Sequence, residues 1–168
     1  MSHETGSALS IRPVESTDCQ LLWEWANDPA VRAASFHGEP IPWVVHEAWF
    51  GSRIRNSACR IYIVTADGAP IGQVRFERQR QESPMTTIDI SLAQPCRRMG
   101  FGVEALQLAC LEYRRESRSC IAADVKSSNA ASMKVFERAG FAFRGVVKTE
   151  GEDAVRWVLP ADAPVRHE

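Results

Sequence analysis

The run Arg97-Arg98-Met99-Gly100-Phe101-Gly102 carries residue types suited to binding an anion. It lies between a segment that reads as a strand and one that reads as a helix. In such a turn successive backbone N–H groups converge on a phosphate, and the helix dipole adds positive potential. Glycine lets the backbone approach without a side chain in the way, and flanking arginines add charge without being essential to the nest. The same spacing also fits an ordinary tight connection in which glycine serves the turn. A second run, Asn129-Ala130-Ala131-Ser132-Met133-Lys134-Val135-Phe136-Glu137-Arg138-Ala139-Gly140-Phe141, reads as a helix opened by a cap and stopped by glycine. Cysteines 19, 59, 96, 110 and 120 are odd in number with no close pair, so neither a disulfide framework nor a metal site is expected.

These runs need elements to hold them. Residues 8–13 read as a first strand, and Ser16 or Thr17 as the cap of a helix whose face carries Leu21, Leu22 and Trp25, ending near Asn27-Asp28-Pro29. A second helix is expected over 42–55 with Val45, Trp49 and Ile54 inward, and a loop over 36–40 precedes it. The period then becomes two. Residues 60–64 are β-branched and aromatic, Asp67-Gly68 marks a hairpin, and Gly72, Val74 and Phe76 alternate with Gln73, Arg75 and Glu77.

After a polar connection over 78–84, Ile88, Ile90 and Leu92 mark a fourth strand, and Val103, Leu106, Cys110 and Tyr113 one helix face. Residues 121–125 form a fifth strand, parallel to the fourth across a βαβ-sized unit. Ser128 or Asn129 caps the next helix, and 143–148 with 154–159 close the sheet. The sum is an α+β arrangement with one parallel crossover.

At 168 residues the chain fits one domain over 8–159, with loose termini at 1–7 and 160–168. A net charge of -1 with interspersed signs argues against nucleic acid or an anionic membrane as partner. No run approaches the ~18 apolar residues of a membrane span. The polar start has no signal-peptide core, so a cytoplasmic protein is expected, and a small-molecule partner stays open.

Arg97-x-x-Gly100-x-Gly102 resembles the Q/R-x-x-G-x-G/A pyrophosphate loop of the GNAT acetyltransferases, and the 129–141 run resembles that family's second coenzyme motif. The likeness spans roughly residues 8–159 and is strongest over 88–141. It implies an α+β, GNAT-like mixed sheet of about seven strands with helices on both faces. It implies acetyl-CoA in a notch between the fourth and fifth strands, the pyrophosphate on the loop headed by Arg97, against the amides of Arg98, Met99, Gly100, Phe101 and Gly102. Backbone groups of Ile90 and Leu92 would pair with pantetheine as an added strand does, with the Leu92 N–H as oxyanion donor. Asn129 would bond the pantetheine arm, be a plain cap, or do both.

One position departs from the family. Many relatives carry a tyrosine where this chain has Phe136, which has no proton for the departing thiolate; water or Ser132 is left to serve, while the phenyl ring still packs against pantetheine. Asp124 is the first candidate for the base, with Asp89 and Glu77 in reserve as ion-pair or solvated acids. His37 and His46 stay open between structural and catalytic roles, and for His46, among Val45 and Trp49, a hydrogen-bonded structural histidine is the commoner case.

Residues 21–32 and 35–50 resemble, more loosely, the GNAT enzymes that acetylate amino-sugar nucleotides in pseudaminic acid biosynthesis. That likeness implies a small-molecule amine acceptor, with aromatic side chains stacking a base and Arg32 meeting a phosphate. Rival readings are acetylation of a protein N-terminus and a CoA-binding module without efficient catalysis. An exposed strand or the aromatic N-terminal surface leaves room for a homodimer.

Overall fold

The computed structural model describes residues 7–78 and 85–165; the polar connection after Arg78 and the outermost termini lie outside the described residues. Strands β1 (Leu9–Pro13), β2 (Cys59–Ala66), β3 (Ala69–Arg78), β4 (Met85–Leu92), β5 (Cys120–Lys126), β6 (Ala142–Thr149) and β7 (Glu152–Leu159) form one mixed sheet. Their order is β1-β2-β3-β4-β5-β7-β6. Only the β4/β5 pair is parallel, as the intervening helix α4 (Phe101–Glu116) requires.

Period-two alternation along β2 explains the layering. Tyr62 and Val64 face one way, into a core shared with Leu106, Cys110 and Tyr113 of α4 and Phe136 of helix α5 (Ala130–Arg138). Cys59, Ile61 and Ile63 face the other way, against Leu22 of helix α1 (Cys19–Ala26) and Phe50 of helix α3 (Trp43–Ile54). A strand buried on both faces reads as a continuous apolar run, which is what residues 61–64 show.

The N-terminal third departs from the sequence expectations in instructive ways. Asp18 opens α1, not Ser16 or Thr17: it follows a 3-10 turn, accepts the Glu15 N–H at 2.7 Å, and meets Arg12 in two bonds of 2.8 Å. A further short helix, α2 (Pro29–Ala34), was not anticipated; Asp28 caps it through the N–H groups of Ala30 and Val31, with proline at the first position. The Asp-Pro dipeptide is the sequence signal for that start. On α3 His46 and Phe50 are buried and Trp49 packs against the same cluster as expected, while Val45 and Ile54 are exposed. His46 is structural, its Nε2 at 2.9 Å from the Cys19 carbonyl oxygen, and burial holds its pKa below the ordinary value despite that bond. At the other end, residues 160–165 are anchored and not loose: Arg114 donates to the carbonyls of Pro160 and Ala163, and Val165 packs on the core.

No helix among the described residues is long and apolar enough to cross a membrane.

Candidate active site

The β4/β5 ladder runs from Met85 and Cys120 to Thr87 and Ala122, then stops. Its closed end is locked by Thr86, fully buried, whose hydroxyl lies 3.0 Å from the Tyr113 hydroxyl and 2.7 Å from that of Ser119. Beyond it β4 stays paired to β3 as far as Leu92, and β5 to β7 as far as Lys126. The two strands thus remain extended but part from each other, leaving a notch with a row of backbone groups on each lip.

Backbone alternation tells which groups those are. Ala93 donates to the Ile71 carbonyl at 2.8 Å, and the Ser91 carbonyl presses toward β3 at Gly72. Odd-numbered residues of β4 therefore turn their polar groups to β3, and Ile88, Ile90 and Leu92 turn theirs into the notch. The backbones of Ile90 and Leu92 stand where an added strand would pair.

On the far side of β4 the backbone of β3 comes close at Gly72. A Cβ there would lie 2.5 Å from the Ser91 carbonyl oxygen and 2.7 Å from a Leu92 methyl. Beside it the β2/β3 register slips, Val64 facing Gly72 and Thr65 facing Pro70, so that Ile71 is the extra residue of a bulge. Glycine plus bulge let the end of β4 lean onto β3 and away from β5. The signal in the sequence was a glycine inside a strand, which alternation alone treats as one more small residue.

At the open end of the notch the chain turns into α4. Arg98 (φ 62) and Gly100 (φ 85) both adopt left-handed backbone, and the Arg98, Met99 and Gly100 N–H groups donate to no partner among the described residues. They join the unpaired amides of the first helical turn, an arrangement that suits a diphosphate. The two glycines of the loop serve different ends. Space around Gly100 is open, so its requirement is the positive φ. Gly102 is buried, and a Cβ there would sit 3.2 Å from Val135 and 3.9 Å from Leu92, so it lets α4 pack close to α5 and β4.

The two arginines also divide. Arg98 and Met99 are exposed. Arg97, expected to face the pyrophosphate, turns inward: its Nε donates to the Leu92 carbonyl at 2.9 Å and its Nη1 lies 3.0 Å from Asp28. Phe101 is half-buried and packs on the core.

Asn129 caps α5, its Oδ1 accepting the Ser132 N–H at 3.1 Å; Ser128 does not. The Asn129 amide nitrogen and the Ser132 hydroxyl have no partner among the described residues. Phe136 is 3% exposed and meets Phe141 edge-on at 5.1 Å, so it belongs to the core where contact with pantetheine was expected.

On the α1/α3 face the notch is rimmed by side chains in register with Thr87 and Ala122: Asp89 and Ser91 on β4, Asp124 and Lys126 on β5. Asp124, the expected base, is occupied. Its cross-strand partner Arg156 holds both carboxylate oxygens, at 2.7 and 2.8 Å, and Thr149 adds a third bond. That pairing raises the Arg156 pKa. Both carboxylate oxygens are thus committed to the guanidinium fork and the Thr149 hydroxyl.

Asp89 is the open acid. It is more than half exposed, among the described residues accepts only the Gln73 amide at 3.1 Å, and stands 3.8 Å from Arg75. Arg75 lies over the Trp49 ring and donates no hydrogen bond among the described residues. Glu77 is paired with Arg53 at 3.1 Å.

Opposite this rim stands the loop between α2 and α3. Asn27 grips Ile41 by both its N–H and its carbonyl, Trp23 adds a 2.7 Å bond to the same carbonyl, and Arg32 donates to Ala26, His37, Glu39 and Ser35. Arg32 is thus the post of the loop, and its donors are not open to a phosphate as expected. So held, the loop brings Phe36 to 5.9 Å from the Lys126 ammonium and His37 to 3.8 Å from Glu150.

Residues 8–142 match the family described as "Acetyltransferase (GNAT) domain". L-methionine sulfoximine/L-methionine sulfone acetyltransferase of Pseudomonas paraeruginosa is 26% identical over 90% of both chains. Among solved structures, aminoglycoside acetyltransferase AAC(6')-Ib with coenzyme A and kanamycin superposes with a TM-score of 0.79 at 20% identity, covering 91% of this chain and 95% of its own. Spermidine N-acetyltransferase of Vibrio cholerae with CoA and spermine does so with a TM-score of 0.79 at 19% identity, covering 90% and 94%.

Proposed function

Since the chain belongs to the GNAT acetyltransferase family and uses acetyl-CoA, we propose that it acetylates a primary amine on a small molecule that also carries negative charge. The observation that carries this is the parted β4/β5 pair opening onto a rim of mixed charge, with Asp89 accessible and Arg75 rich in unspent donors.

The residues present fit the coenzyme. Unpaired amides from Arg98 to Gly102 hold the diphosphate, with the exposed Arg98 side chain adding charge. The Ile90 backbone would pair with the pantetheine arm, the Leu92 carbonyl being taken by Arg97, and Asn129 offers its amide nitrogen. When bound, acetyl-CoA supplies an electrophilic thioester carbonyl and a thiolate leaving group.

The Leu92 N–H donates to the oxygen on which charge develops, from a peptide already held in place. Asp89 receives the acceptor's ammonium and takes its proton, leaving the amine neutral for attack; Asp124 is held by Arg156. Phe136 offers no proton, so the Ser132 hydroxyl or water serves the thiolate.

The narrower form of this reading is an amino-sugar nucleotide. Trp43, 40% exposed, and Phe36 supply aromatic surface, and Arg75 supplies the cation that Arg32 does not. The 26% identical relatives point to an amino acid analogue, which also joins amine to anion.

Thiol release over a panel decides. The panel holds a 4-amino-sugar nucleotide, L-methionine sulfoximine, spermidine, kanamycin and an N-terminal peptide. Turnover confined to the first two supports the reading. Preference for spermidine or kanamycin overturns the requirement for negative charge, preference for peptide overturns the small-molecule acceptor, and CoA binding without turnover on any amine leaves a binding module.

A further inference from the structure

We propose that Arg97 and Asp28 form a positioning pair that fixes the Leu92–Ala93 peptide, tying the acceptor-side helix α2 to the coenzyme loop. The proposal rests on the reading of Leu92 as the donor to the thioester oxygen.

Three observations carry it. First, Arg97 sits at the head of the phosphate loop yet sends its guanidinium away from the unpaired amides, to the Leu92 carbonyl at 2.9 Å and to Asp28 at 3.0 Å. Second, the peptide it grips is held from the other side too, since the Ala93 N–H donates to Ile71 at 2.8 Å. A peptide bonded at both its oxygen and its nitrogen has little freedom to rotate, so the adjoining Leu92 N–H keeps its direction into the notch. Third, the Asp28 oxygen that meets Arg97 also accepts the N–H groups of Ala30 and Val31 at the start of α2. Burial works against charge on Asp28, yet Arg97 and these amides outweigh it and hold its carboxyl below the ordinary range.

One side chain thus belongs at once to the acceptor wall and to the turn that receives the diphosphate. The neighbouring Arg98 has no such duty: it is exposed, and no hydrogen bond holds its side chain among the described residues. Of the two arginines, Arg98 therefore acts on the coenzyme by charge and Arg97 acts on Leu92 by position.

The substitutions that separate these roles are Arg98→Ala, Arg97→Ala, Arg97→Lys and Asp28→Asn. Asparagine is as good an N-cap as aspartate, so Asp28→Asn keeps α2 and removes only the charge pairing. CoA affinity is measured by calorimetry at two salt concentrations, amide exchange at Ala93 by NMR, and turnover by thiol release on the fastest amine of the panel. Arg98→Ala is expected to weaken CoA about tenfold and flatten its salt dependence while sparing Ala93 exchange. Arg97→Ala and Asp28→Asn should shift CoA affinity by less than about threefold, yet lower kcat roughly tenfold or more at unchanged acetyl-CoA KM. They should also speed exchange at Ala93 but not at Cys110 in the core.

Lysine at position 97 should restore part of kcat, and the double variant Arg97→Ala/Asp28→Asn should be no slower than Arg97→Ala alone. An Arg97→Ala protein that loses CoA affinity and salt dependence as Arg98→Ala does makes Arg97 a phosphate ligand and overturns the proposal. So does unchanged Ala93 exchange in Asp28→Asn. If no amine is acetylated by the unsubstituted protein, the proposed function fails; the exchange and CoA arms still decide the pairing.

Discussion

The two edges of β5 are unlike. Toward β7 the ladder holds along the strand, from Ile121 opposite Leu159 to Lys126 opposite Ala154; toward β4 it ends at Thr87 and Ala122. Both β4 and β5 stay extended beyond that point, each supported by its other neighbour. An opening of this kind does not come from weak strand formers. It comes from crowding relieved on the far side, where Gly72 and the bulge at Ile71 accept the backbone of Ser91. A sheet can therefore hold a rigid cleft without a loop, because each lip remains half of an intact pair.

The comparison is broken most directly at Gly72. Gly72→Val should push Ser91 and Leu92 back toward β5 and abolish measurable CoA binding by calorimetry, at a cost to stability of roughly 1–3 kcal/mol from overpacking. A variant that binds CoA normally would remove glycine as the cause of the notch.

Asp89→Asn should follow, with kcat/KM on the fastest acceptor falling about a hundredfold in the thiol-release assay. Asp124→Asn should instead lower the melting temperature by loosening β5 from β7, with a smaller effect on rate. The reverse ranking would restore Asp124 as the base.

Gly100→Val forces a β-branched residue to φ 85 and should cost roughly 1–2 kcal/mol together with about a tenfold loss of CoA affinity. Unchanged affinity would take the diphosphate off this loop.

The smallest effect is expected far from the notch. The Arg12 guanidinium outweighs burial and holds the Asp18 carboxyl below its ordinary value. Its contribution to stability is therefore complete above the unfolded-state pKa of about 3.9 and fades as pH falls toward the folded-state value. Chemical denaturation from pH 6 to pH 3 should show that loss, and Asp18→Asn should flatten it.

Much of the fold was legible because its signals are local. The apolar run in 61–64, the alternation in 88–92, the Asp67-Gly68 turn and the helix face of Leu106, Cys110 and Tyr113 each depend on neighbours a few residues apart. The turn at Gly100 was legible for the same reason, since Gly100 and the start of α4 are consecutive. Helix α2 has its signal in Asp28-Pro29, a dipeptide that fits the end of α1 as well as the capped start of a new helix.

What the chain order could not show was how side chains distant in sequence spend their bonding capacity. Arg156 closes Asp124, Arg97 reaches back to Asp28 and Leu92, and Arg32 is consumed by its own loop. By itself the sequence determined the elements, their order and the glycine turn that leads into α4. Tertiary structure alone decided which charged groups stay open to substrate, because a guanidinium or carboxylate reads the same in sequence whether its partner is water or another strand.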